Sequence, residues 1–208
     1  METSLILYAE HCFNASTFAS RVSTATRTDI YSALTSAIGT LKGPLHGGAN
    51  EWAMNFLAPI KSVEECDQIL TEKLKKRELI FGFGHRVYKN GDPRSDIIKE
   101  LSIELSKREG GAKLLLEVSV FMEREMFKRK KLHPNADFFH APAYFQLGIP
   151  TKLFTPIFVM SRTAGWCAHI FEQRTKKRLI RPIAHYNGPE PREFLAMADR
   201  KDQEDFKL

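Results

Sequence analysis

Gly43-Pro44-Leu45-His46-Gly47-Gly48-Ala49-Asn50 and, after an amphipathic interval, Gly82-Phe83-Gly84-His85-Arg86-Val87-Tyr88-Lys89-Asn90-Gly91-Asp92-Pro93-Arg94 decide how the rest of the chain is read. Each histidine sits in a glycine-rich turn, and Arg94 follows the second at a helix start. Glycine tolerates φ > 0 and close backbone approach, so such turns bring an imidazole and free N–H groups up to a ligand. One glycine-flanked histidine says little. Two at loop-to-helix junctions, followed by an aspartate and arginines, point to a site for a small anionic molecule.

Outward from these turns nearly every segment reads as helix, which makes the chain all-α. His46 lies just before a helix beginning near Ala49, where the positive end of the dipole disfavours imidazolium. A neutral imidazole there can donate to an oxygen that is gaining negative charge. Ser62 with Glu65 forms a capping box for a helix over 62–77. Asp92-Pro93 places a cap and then Pro at the first helical position. Arg94 then projects from a first turn that already favours anions. Leu79–Gly84 has two of the glycines of a dinucleotide fingerprint, but lacks the third and any βαβ surroundings.

Upstream, residues from about Ser4 to Val22 read as one densely packed helix containing His11, either a core imidazole or a functional one. Thr28 or Asp29 caps the next helix, and Gly39 and Gly43 close it. Downstream, Leu114, Val118, Phe121, Met122 and Met126 form the core stripe of a helix over 113–131. Asp137, set among aromatics, reads either as an N-cap or as a carboxylate whose apolar surroundings raise its basicity. Thr155-Pro156 repeats the cap-plus-Pro signature and opens a long helix carrying Arg162, with Trp166 and Ile170 facing the core. Residues 178–194 look extended, and a polar tail follows from Ala196.

At 208 residues, with 43% hydrophobic and 27% charged residues, the chain can bury a core of its own. The net charge of +6 suits an anionic partner. Lysines and arginines cluster at expected helix ends rather than among aromatics, which argues against a nucleic-acid face. Cys12, Cys66 and Cys167 form no CxxC or disulfide framework, as expected in a reducing compartment. No stretch approaches the ~20 apolar residues of a membrane span, and the start lacks signal-peptide features, so a cytoplasmic protein is expected. The histidine spacing offers no zinc pattern.

Five motifs in register resemble the citrate synthase family. They are Asn14-Ala15-Ser16-Thr17 after His11, Gly43 to Asn50, Gly82 to Lys89 with Asp92-Pro93-Arg94, Ala136-Asp137-Phe138, and Ser161-Arg162-Thr163-Ala164-Gly165-Trp166. Arg181-Pro182 with Tyr186-Asn187-Gly188-Pro189-Glu190, and the run near Pro150, look most like the 2-methylcitrate synthase branch. The resemblance implies a two-domain helical homodimer that closes over oxaloacetate and an acyl-CoA, with propionyl-CoA favoured over acetyl-CoA. Residues 1–46 and 151–208 would belong to the large domain and 47–150 to the small one. The chain would start about halfway along the family pattern, with N-terminal large-domain helices missing.

The resemblance also implies roles. Asp137 would be the base, His46 would donate to the thioester oxygen, and His85 would polarise and protonate the oxaloacetate ketone. His11, Arg94 and Arg162 would hold the oxaloacetate carboxylates, joined by Arg181 from the partner subunit. Leu79, Ile80, Phe81, Gly82 and Phe83 would line the CoA adenine site, with Arg86 and Lys89 meeting CoA phosphates. No metal or organic cofactor is expected beyond the CoA substrate. Two other classes stay open: a synthase remnant that keeps the site residues without turnover, and a basic helical binding module.

Overall fold

Capping residues set most of the helix boundaries. A computed structural model describes residues 1–199, and the helices are α1 Glu2–Ala9, α2 Ala15–Ala25, α3 Ile30–Leu41, α4 Ala49–Leu57, α5 Val63–Lys75, α6 Pro93–Ser106, α7 Lys113–Lys130, α8 Ala136–Gln146 and α9 Phe154–Thr175. The Asp29 and Ser62 side chains accept from Ser32 N and Glu65 N, and Asp92 caps α6 with Pro93 at its start. Each such bond satisfies one of the orphan N–H groups of a first turn. No strand occurs among the described residues; a lone antiparallel bridge joins Phe83 to Pro134. The chain is thus all-α, and 178–194 carry no helix, as expected. The expected tail begins at Ala196 with a 3-10 turn at Met197–Asp199 and continues outside the described residues.

Four expectations are corrected. The segment read as one helix is two, α1 and α2, separated by a turn at Glu10–Asn14. Glu10 is extended, Cys12 has φ 49°, and the Asn14 side chain accepts from Thr17 N to start α2 afresh. Local side-chain bonding beats helix continuation there, and it puts His11 and Cys12 in a turn. Gly39 lies inside α3 rather than closing it. Asp137 is not a cap; Asn135 is, accepting from Asp137 N at 3.0 Å. Thr155 does not cap α9, which starts at Phe154 after a 3-10 turn at Thr151–Leu153. The Thr155 N–H donates instead to Glu51 Oε1 at 3.1 Å, so a carboxylate from α4 serves that helix end.

Two groupings share one core. α1, α2 and α3 pack on α9, while α4, α6 and α7 gather on α8 and α5 lies on α7. Leu41, Met54, Leu70, Met122, Phe138 and Trp166 are buried in a single apolar cluster that spans both. Each such side chain contributes about 1.5–3 kcal/mol relative to exposure. The 79–84 loop is laced to the segment before α8. Gly84 N donates to His133 O at 2.8 Å, and Asn135 N to Gly82 O at 2.9 Å. Gly82 has φ 86°, and a Cβ there would fall 2.8 Å from Cβ of Phe138, so only glycine lets the loop lie on α8.

Candidate active site

A cleft of about 680 Å³ opens where the two groupings meet. Asp137 lies in the first turn of α8, partly open to this cleft. Desolvation raises its carboxyl from the ordinary 3.8 to about 6, against a hydrogen bond from Tyr8 and the charges of Arg94 and Arg162. Tyr8 donates to Oδ1 at 2.6 Å. Its ring is 1% exposed and stacks between His140 (centroids 4.0 Å) and Phe158 (3.8 Å). Burial first, then the Asp137 charge, hold the Tyr8 hydroxyl well above its ordinary range, so it stays a donor.

His46 faces the cleft from the turn before α4. Its Nε2 lies 2.8 Å from Ser16 Oγ and 3.3 Å from Ser16 N. A backbone N–H only donates, which makes Nε2 the bare nitrogen and leaves the proton on Nδ1. Burial, then Arg162 and His11, lower its pKa to about 4, so the ring is neutral. Trp166 Nε1 donates to the same Ser16 Oγ at 3.1 Å, anchoring it to α9.

His85 is fixed by its own turn. Val87 N and Tyr88 N donate to its Nδ1 at 3.0 and 3.1 Å, so its proton sits on Nε2. That nitrogen lies 3.2 Å from Nε2 of His11. His85 therefore donates to His11, whose own proton is on Nδ1. Burial lowers both rings, His11 to about 4 with Arg94 next among the causes.

Arg94 and Arg162 enter from opposite helices. Asp92 holds Arg94 with two bonds, Nε to Oδ1 at 3.0 Å and Nη2 to Oδ2 at 2.8 Å. The same Asp92 Oδ2 accepts from Ala136 N at 3.0 Å, which ties Arg94 to the start of α8 beside Asp137. Arg162 donates from Nε to Tyr8 O at 2.6 Å. Its Nη1 is buried with no hydrogen-bond partner. Burial and then the facing charge of Arg94 lower the Arg162 pKa to about 10, so an anion between the two is strongly favoured.

The cleft thus unites His11, His46, His85, Arg94, Asp137 and Arg162. The loop from Leu79 through Ile80, Phe81 and Gly82 to Phe83 lines it too, as does Arg86, and Phe81 stacks on Trp52 at 5.2 Å. Lys89 is exposed and does not line it, and Arg181 is exposed outside it. Tyr8 and Ser16, and the grip of the Asp92 cap on Arg94, are what sequence reasoning missed. The signal is faint: Tyr8 stands three residues before a site histidine, and Ser16 just inside the Asn14 cap. Among the described residues no cluster of His, Cys, Asp or Glu is placed to hold a metal ion, and no helix is long and apolar enough to cross a membrane.

One cleft with a basic carboxylate, three neutral imidazoles and two guanidiniums is equipped to deprotonate a carbon acid beside a bound carboxylate. Residues 1–183 match the family described as citrate synthase, C-terminal domain. The chain belongs to the citrate synthase family. It is 54% identical over 200 residues to 2-methylcitrate synthase of Shewanella oneidensis, covering 96% of this chain and 53% of that protein. It is 52% identical over 197 residues to citrate synthase 2 of Bacillus subtilis, covering 95% and 53%. Among solved structures, the citrate synthase of Thermoplasma acidophilum in ternary complex with carboxymethyl coenzyme A and oxaloacetate is similar at TM-score 0.87 and 37% identity, over 95% of this chain and 54% of that one. The chain spans about half the length of the citrate synthase relatives it matches. Every residue that lines the cleft nevertheless falls inside the matched span.

Proposed function

We propose that this chain carries a site for condensing an acyl-CoA with oxaloacetate, releasing CoA by thioester hydrolysis. The observation that supports it most directly is the Asp137 carboxyl, raised to about 6, in one cleft with two donor imidazoles and the Arg94–Arg162 pair. Asp137 takes the α-proton of the thioester through Oδ2, since Tyr8 occupies Oδ1. His46 Nδ1–H donates to the thioester oxygen as negative charge develops there, which is needed because the carbon acid is weak. The new enol carbon attacks the ketone carbon of oxaloacetate. His85 Nε2–H, which stands 3.2 Å from His11 Nε2, turns to the ketone oxygen and protonates the alkoxide. Water then cleaves the thioester, giving the tricarboxylate and the CoA thiol. Arg94, Arg162 and His11 grip the two carboxylates, and Arg162 Nη1 gains the partner it lacks.

On this reading 1–46 and 151–199 form part of the large domain and 47–150 the small one, with the cleft between them; the rest of the expected 151–208 segment lies outside the described residues. The 79–83 loop and Arg86 receive the nucleotide end of CoA, with Lys89 further out. Arg181 acts on the cleft of a second copy. Propionyl-CoA is the favoured acyl donor, giving 2-methylcitrate; acetyl-CoA would give citrate. The deciding experiment is release of free CoA thiol by this chain, with and without oxaloacetate, using each thioester. Oxaloacetate-dependent release is expected, faster with propionyl-CoA. No release with either sinks the enzymatic reading, and a strong acetyl preference sinks the branch assignment.

A further inference from the structure

Behind the cleft, on the far side of the Glu10–Asn14 turn, lies a charged cluster that the proposed chemistry does not use. Arg21 on α2 is 2% exposed. Its Nη1 contacts Glu172 and lies 2.9 Å from Nδ1 of His169 on α9. A guanidinium only donates, so Nδ1 is bare and the His169 proton sits on Nε2. That Nε2 donates to Glu10 Oε1 at 2.9 Å. The Arg21 guanidinium also stands 4.7 Å from the Phe13 ring centroid, and Phe13 meets the His169 ring edge-on at 5.5 Å.

Glu10 and Phe13 bracket His11-Cys12, so the cluster grips the turn at both ends. Gly165 on α9 completes the seat, because a Cβ there would fall 2.3 Å from Ala9 O. Joining α2 to α9 would need only Arg21 and Glu172. The Arg21–His169 bond also joins those helices, but the onward bond from His169 to Glu10 and the contacts to Phe13 act on the turn. The turn has no core of its own, and on its other side it offers His11 to His85 across the cleft.

We propose that Arg21 and His169 are positioning residues that set His11 at the geometry its ligand needs. The ligand part of this rests on the function proposed above; the ordering of the turn does not. Cys12, exposed within the turn, reports that order. The experiment is the rate of iodoacetamide alkylation at Cys12 in the full chain, mapped by peptide mass, with Cys167 as internal control. His169→Leu removes donor and acceptor together and is expected to speed Cys12 alkylation about fivefold or more, as a locally opened segment would. Glu10→Ala, an exposed change that leaves the core alone, should do the same. His169→Gln can accept from Arg21 and donate to Glu10, and should restore a rate close to wild type.

Wild-type rates in both His169→Leu and Glu10→Ala overturn the proposal. Oxaloacetate should slow Cys12 alkylation in the wild type, and the concentration needed should rise about tenfold in His169→Leu and recover in His169→Gln. Equal protection in all three also overturns it. No protection in the wild type overturns the proposed function instead, and the alkylation rates alone then decide whether the turn is held by this cluster.

Discussion

Asp137 sits where its protonated form is favoured, and this has opposite consequences for stability and for catalysis. With its pKa raised from 3.8 to about 6, the folded chain holds a proton that the unfolded chain has already lost. The associated stability is fully present below the unfolded value and is lost as pH rises through about 6. Asp137→Asn should therefore stabilise the fold near pH 8 by on the order of 1–3 kcal/mol, the gap shrinking as pH falls toward 4, read by urea unfolding. The same variant should release no CoA thiol while still binding oxaloacetate. In the wild type, thiol release should climb with pH through about 6, since the base must be ionised. Tyr8→Phe removes the donor on Oδ1 and should move that climb to higher pH; an unmoved midpoint would count against a Tyr8 role. His46, His85 and Arg94 were legible because each sits at a glycine turn or cap that the sequence shows directly. The roles of Tyr8 and Ser16 were not, because each acts on a residue from another segment, as Tyr8 does on Asp137; Asp92 is legible as a cap, while its hold on Arg94 and on Ala136 N shows only in the fold.

At the scale of elements, caps explain both what could be read and what could not. Asp29, Ser62 and Asp92 each stand before an apolar periodic run, and each starts its helix as expected. Asn14 works the same way but is hidden in a segment whose composition is helical throughout, so the break before it escapes a periodicity reading. Thr155 carries the cap signature, yet a carboxylate from α4 takes its N–H, a tertiary contact no local pattern encodes. Asn14 also donates from Nδ2 to His11 O at 3.1 Å, so it both starts α2 and closes the turn. Asn14→Ala should cost about 0.5–2 kcal/mol by urea unfolding, the range for a lost cap. It should also speed Cys12 alkylation, whereas Asp29→Ala, a cap remote from the turn, should leave that rate alone. Equal Cys12 rates in the two variants would show that Asn14 has no hold on the turn.

For the whole molecule, several helices present large apolar side chains outward. Ile6 on α1 is 66% exposed, Tyr31 on α3 79%, and Met160 and Phe171 on α9 59% and 61%. These helices pack on one another, and monomeric proteins seldom leave extensive apolar patches uncovered. Arg181 is exposed and away from the cleft of its own chain. A twofold pair in which each chain lends Arg181 to the other would account for both features. The mass in solution should then exceed the 23.8 kDa of one chain in sedimentation velocity. Sharing across the pair has a sharper signature. Arg181→Ala and Asp137→Asn chains should each release little thiol alone. In a dimer of one of each, one cleft carries both lesions and the other carries neither. Random pairing makes about half of the dimers mixed, each with one intact cleft of two, so about a quarter of wild-type thiol release should return after the chains are co-refolded. A mixture as inactive as its components would place Arg181 outside the partner's site, even if the chain proves dimeric.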